Sequence, residues 1–401
     1  MKQIAPAALY LCLLLTGCPS SGGDNSAPAP SGAANVISVS VGTSNVCTNV
    51  NELCASVTIC QPGTSTCQTI SDVLVDIGSV GVRVFDSVLS TPLRQGLQQA
   101  VDAQGHPLGE CAFFADGSMS WGPVQIADVV LGGGPAVRVP IQVIAPTFAG
   151  QTISNNPCNG PVDSDPGVTS FNGILGIGIF KQDCGPVCEL NNNNNLYFSC
   201  VASSCTSTTM PVLNQLQNPV WMLSSGNNGV VLAMPNVPAN GAPSVTGSLT
   251  LGIGTADNNT PPAGLSVLRT DGGGLLSTNY KGQVLDTIID SGSNGLFFPD
   301  ANIPPCTNFP DFYCPANPLN LMATLMGFNG VPQIAVPFQV ANTANLVQTN
   351  NAAFNNLGGS SGSGPFSSFF DWGLPFFFGR TVFVGIEEQT SPLGTGPYFA
   401  F

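Results

Sequence analysis

From residue 35 onward the chain is a succession of short β-branched runs. They are Val36 to Val41, Val73 to Val75, Val124 to Leu131, Val137 to Ile144, Ser248 to Ile253 and Ile334 to Val340, each closed by Gly, Pro or Asn. Apolar runs of this length between turn residues predict strands, and their number predicts an all-β protein. Helical periodicity is scarce, with Thr91 to Val101 and Pro211 to Asn218 the best candidates. Asn191 to Asn195 reads as a surface loop. The start of the chain breaks the pattern, because Ile4 to Leu15 is one apolar run behind a single Lys. That run is too short to cross a bilayer as a permanent helix, so it predicts a processing segment.

The apolar run ends in Leu15-Thr16-Gly17-Cys18, which resembles a bacterial lipobox. The resemblance implies cleavage before Cys18, a lipid on that Cys, and membrane attachment through the lipid alone. Pro19 in place of Asp after the Cys implies sorting to the outer membrane of a Gram-negative envelope. Residues 18–34, rich in Ser, Gly, Ala and Pro, then form a lipidated flexible tether.

The chain beyond residue 17 exceeds what one small core needs, so we expect two domains. The formal net charge of −14 repels phosphate backbones and argues against a nucleic-acid partner. Of fourteen Cys, Cys12 leaves with the leader and Cys18 goes to the lipid. The even remainder in an exported chain predicts disulfides. Cys60 with Cys67, Cys184 with Cys188, Cys200 with Cys205 and Cys306 with Cys314 each bracket a turn-sized segment. Cys47, Cys54, Cys111 and Cys158 stay unassigned, and no metal or cofactor is expected.

A search for internal repetition supplies the candidate chemistry. Residues 72–85 read DVLVDIGSVGVRVF and residues 286–299 read DTIIDSGSNGLFFP. In register they share Asp72 and Asp286, Asp76 and Asp290, Gly78 and Gly292, Ser79 and Ser293, and Gly81 and Gly295. A strand that ends in Asp-x-Gly exposes a carboxylate at a tight turn that a second backbone can approach. Two such turns face to face hold two carboxyls that cannot both ionise, so one serves as base and one as acid toward a water. Ser79 and Ser293 are placed to hydrogen-bond the outer carboxylate oxygens.

These motifs, with Phe171-Asn172-Gly173-Ile174-Leu175-Gly176-Ile177 and Trp372-Gly373-Leu374-Pro375, resemble the pepsin-like aspartic peptidases in order and direction. The chain also resembles a bacterial family of exported proteins that carries no assigned activity. The first resemblance implies a bilobal double β-barrel with a central cleft, an N-terminal lobe over 35–212 and a C-terminal lobe over 213–401. It makes Asp76 and Asp290 the catalytic pair, supported by Gly78, Ser79, Ser291, Gly292 and Ser293. It makes Phe114, Asp116 and Gly117 the flap that closes over a peptide or protein substrate. We expect a monomer.

Departures from the pattern bear on activity. The residue between Asp and Gly bears a hydroxyl in that family, and here Ser291 keeps it while Ile77 loses it. Phe114 stands for the flap Tyr, and Pro375 for a Gly of the second supporting segment. Arg83 adds a charge near the first loop and is expected to face solvent. Ser-His-Asp catalysis would need His106, which is expected to be a loop residue, and the aromatic run Phe366 to Phe378 is expected to be core. The alternative to an endopeptidase is a cleft that binds a peptide or surface ligand without cutting, or a structural envelope protein.

Overall fold

The computed structural model describes residues 32–362 and 367–401; Cys18 and its tether up to residue 31, and Phe366, lie outside them. Strands dominate, and the apolar runs carry them. Val36–Val41 is a strand with the bounds the pattern set, while Val73 to Val75 lies inside Cys67–Asp76 and Val124 to Leu131 lies largely inside Met119–Val130. Ala136–Ile144, Val245–Leu251 and Gln333–Val340 account for the other three.

The helical expectation at 91–101 is corrected. The helix is Thr91–Gly96, and Gln98–Gln99 already pairs with Gln125 and Ile126 of the long strand. Leu97 is already extended, and Gly96 packs where a Cβ would collide with Gln61. At 211–218 only a single turn forms, Val212–Asn214. Among the described residues no helix is long and apolar enough to cross a membrane.

Two sheets carry the fold. A large one runs from Ser204–Ser207 at one edge to Val267–Arg269 at the other, and a seven-stranded one is built from residues 276–372. The chain's first strand, Val36–Val41, pairs along its whole length with Val245–Leu251, antiparallel, from Val36 opposite Thr250 to Val41 opposite Val245. Residues from both halves of the sequence thus share one sheet and one continuous core.

Six disulfides close short or medium loops. They include the four pairs expected from spacing, and they add Cys47–Cys54 and Cys111–Cys158. The aromatic run is core: Phe370 stacks on Trp372 with ring centroids 4.4 Å apart and on Phe298 at 4.9 Å, with Phe338 edge-on to both Phe370 and Trp372.

Candidate active site

The same local device is built twice. In the first copy, Cys67–Asp76 runs parallel to Gly173–Ile177, with Asp76 opposite Gly176, and Val80–Phe85 returns antiparallel on the other side of that strand. In the second, Gln283–Ile289 runs parallel to Phe369–Trp372, with Ile289 opposite Trp372, and Leu296–Phe297 returns antiparallel. Both ladders of each copy make Gly373 the counterpart of Gly176. Pro375 is therefore not at the supporting-glycine position, which corrects the reading that a Pro had replaced that Gly. Each central strand holds a turn open so that its carboxylate stands at the strand end.

The two turns meet. The Gly78 amide donates to Asp76 Oδ1 at 2.8 Å and to Asp290 Oδ1 at 3.2 Å, and the Gly292 amide donates to Asp290 Oδ1 at 2.7 Å. Ser79 Oγ donates to Asp76 Oδ2, and Ser293 Oγ donates to Asp290 Oδ2 at 2.8 Å. Only glycine permits this approach. A Cβ on Gly78 would lie 2.6 Å from the Asp290 carboxyl carbon, and one on Gly292 would lie 2.8 Å from Asp76 Oδ1. Asp76 is 6% and Asp290 9% exposed. Burial first, and the facing Asp290 second, push the Asp76 pKa well above the ordinary carboxylate range.

The cross-brace is asymmetric. Ser291 Oγ reaches the other turn, accepting from the Ile77 amide at 3.1 Å and donating to the Val75 carbonyl at 2.7 Å. Ile77 is buried and apolar, so the reciprocal pair of bonds lacks the hydroxyl that would accept one and donate the other. A second tie, with no local signal in the sequence, comes from fully buried Asn51. Its Nδ2 donates to the carbonyls of Asn294 and Phe354, both at 2.8 Å, and its Oδ1 accepts from the Phe354 amide at 2.7 Å. It clips the second turn to the segment that precedes the first.

Asp371 is the residue that sequence reasoning missed. The parallel ladder puts it where the first copy has Ile174, one residue before the strand end. It is 7% exposed and its Oδ1 has no partner. Burial, then the charges of Asp290 and Asp76, hold its pKa well above the usual range, against a lowering contribution from the Ser293 hydroxyl. A raised carboxyl stabilises the fold below its unfolded pKa and loses that contribution as pH rises through the folded value. Asp371→Asn is therefore expected to melt a few degrees higher than wild type near about pH 7.5 and at the same temperature near about pH 4. Equal losses at both would assign the carboxyl a packing role only.

Phe114, Asp116 and Gly117 lie at the tip of a hairpin between Leu108–Phe113 and Met119–Val130. Phe114 and Ser118 close the turn by a backbone bond of 3.0 Å, and Asp116 Oδ1 caps it by accepting from the Ser118 amide at 2.9 Å. Arg83 does not face solvent. It is 3% exposed, its Nη2 pairs with Glu110 on the rising arm of that hairpin at 2.6 Å, and its guanidinium carbon lies 6.0 Å from the centre of the Phe114 ring. Asp183, 3.5 Å from Arg83, accepts from the Tyr197 hydroxyl at 2.7 Å. The buried charge is paired, and it ties the strand after the first turn to the hairpin.

His106 shares Asp102 with Ser199, both reaching the same Asp102 oxygen, at 3.1 and 2.6 Å. The carboxylate stands between hydroxyl and imidazole, which is the wrong order for a histidine to take a serine proton. Among the described residues no group of three or more His, Cys, Asp and Glu side chains is arranged to hold a metal ion.

No curated protein matches this chain. One family model does, over residues 31–401, and it is described as a protein of unknown function (DUF3443).

Proposed function

Because the chain belongs to that family, whose description carries no activity to transfer, we propose its function from the site: an aspartic-type endopeptidase with Asp76 and Asp290 as the reacting pair. One observation carries the proposal, the Gly78 amide shared between the inner oxygens of two buried carboxyls. In this reading one carboxyl holds the proton and the other is ionised. The ionised group takes a proton from a water between the outer oxygens as that water attacks a peptide carbonyl. The protonated group gives its proton to the carbonyl oxygen, and collapse of the diol transfers a proton to the leaving amine. Gly78, Ser79, Gly292 and Ser293 orient the pair, and the 114–118 hairpin closes over an extended peptide.

The same reading treats the fold as pepsin-like, with lobes meeting near residue 212, and the protein as a lipid-anchored envelope component held through Cys18. A second reading, a cleft that binds peptide without cutting it, is favoured by Ile77, which removes half of the brace between the turns.

The test is to incubate the mature, disulfide-intact protein with a mixed peptide library between about pH 3 and 7 and to identify new termini by mass spectrometry. Cleavage is expected on the acid side, falling as pH rises through the raised Asp76 value. It should be blocked by a peptide that carries a tetrahedral hydroxyl-bearing carbon in place of the scissile carbonyl. Retention of that peptide without cleavage would establish the second reading, and neither binding nor cleavage would remove both.

A further inference from the structure

Away from the paired carboxyls, the second half of the chain contains a cavity of about 290 Å³ whose lining includes neither Asp76 nor Asp290. Ala239, Pro337 and Phe338 line it at the surface over a floor of the buried Trp372, Phe376 and Phe378, and Arg380 stands at its side. The other basic residues among those described are answered. Arg83, Arg94, Arg138, Lys181 and Lys281 each pair with a carboxylate, and exposed Arg269 donates to the Thr395 carbonyl at 2.6 Å. Arg380 is half-buried and has no ion-pair partner among the described residues. Its Nη1 donates to the Phe376 carbonyl, and the guanidinium lies over the Phe376 ring at 4.6 Å from its centre. The carbonyl bond and the ring contact together hold the guanidinium beside Phe376. Burial pulls its pKa below the ordinary value, with no carboxylate nearby to oppose the shift.

A half-buried cation with no carboxylate beside it is open to an incoming anion. We propose that this cavity is a binding site for a small monocarboxylate bearing an aromatic or branched apolar group, with the carboxylate on Arg380 and the apolar body against Phe338 and Pro337. One cation matches one negative charge, which disfavours a dianionic phosphate. The volume falls just below the range for pockets that enclose drug-sized ligands, about 300–1,000 Å³, which restricts the site to a small molecule or a single terminal residue. A chain of net charge −14 repels anions elsewhere, so selection falls to this one place. The required chemistry occurs both in a free aryl acid and in the free carboxyl terminus of a peptide that ends in an aromatic residue. The proposal does not rest on the peptidase reading.

The test titrates the full mature protein by calorimetry with 3-phenylpropionate and its neutral amide, and with a tripeptide ending in Phe as free acid and as amide. Saturable binding of the acids, weakened about tenfold or more in Arg380→Gln and absent for the amides, is expected. Tighter binding of the tripeptide acid assigns the site to peptide termini, and tighter binding of 3-phenylpropionate assigns it to free acids. Ala239→Trp, on the exposed rim, blocks the mouth and leaves Arg380 untouched, so loss of binding there does not depend on the fold of the Arg380 variant. Asp290→Asn is expected to bind as wild type does. Equal affinity for acid and amide, full binding by Arg380→Gln or by Ala239→Trp, or no binding by wild type would overturn the proposal.

Discussion

Asp290→Asn is expected to lower peptide cleavage by roughly 10²–10⁴-fold, the range that a positioned proton-transfer group contributes. The substitution keeps the shape of the turn, because an amide oxygen can still accept from the Gly292 and Gly78 amides. What it removes is the second proton-transfer partner. It also removes the charge that helps to hold Asp76 above its ordinary pKa. Since a raised carboxyl withdraws stability as pH climbs through its folded value, lowering that value shrinks the loss. The variant should thus be dead and, near about pH 7, at least as heat-stable as wild type, the trade expected where a site holds like charges together. Cleavage rate and melting temperature on the same preparation check both halves. Retained cleavage would remove Asp290 from the chemistry, and a lower melting temperature with no cleavage would mark a folding defect.

The second large effect is on stability. Arg83→Met is expected to cost about 3–5 kcal/mol near neutral pH, because it leaves Glu110 buried without its cation. The penalty should narrow on acidification. Asp183 already has a pKa raised well above the ordinary value by burial and by Glu110, with Arg83 opposing that shift. Removing Arg83 moves it further up, so the stability lost as pH rises from the unfolded to the folded value becomes larger, while below its unfolded pKa the group stays protonated in either protein. Urea unfolding near about pH 7 and 4.5 measures the difference. Adding Glu110→Gln to Arg83→Met should recover most of the loss. A double variant no better than the single one would locate the cost in packing under Phe114 and not in charge.

The sequence disclosed the parts of this site that are local and repeated. Two Asp-x-Gly-Ser turns and the 171–177 segment are contiguous motifs, and each apolar run outside the leader became a strand because alternation and turn residues are short-range signals. What stayed hidden depends on register between distant strands. Val80–Phe85 is buried at every position, so no alternation marks Arg83 as inward, and its partners Glu110 and Asp183 lie 27 and 100 residues on. Asp371 reads as a lone acid among aromatics until the parallel ladder sets it opposite Ile288 and beside the turn. Cys111 and Cys158, 47 residues apart, could not be matched by turn length. The run Thr91 to Val101 misled for the converse reason, since its helical character is local and a long-range strand pairing overrides it after Gly96.

The pairing of Val36–Val41 with Val245–Leu251 also sets a timetable for biosynthesis. The first strand among the described residues waits for a partner made more than two hundred residues later, about 10–40 s at ordinary elongation speeds of roughly 5–20 residues per second. Throughout that interval most of its hydrogen-bonding edge is open, since Cys54–Cys60 offers it a single paired position, Ser40 with Cys54. A nascent chain in that condition is a natural client for a holding chaperone. Maturation should therefore be limited by chain completion and not by closure of the first half.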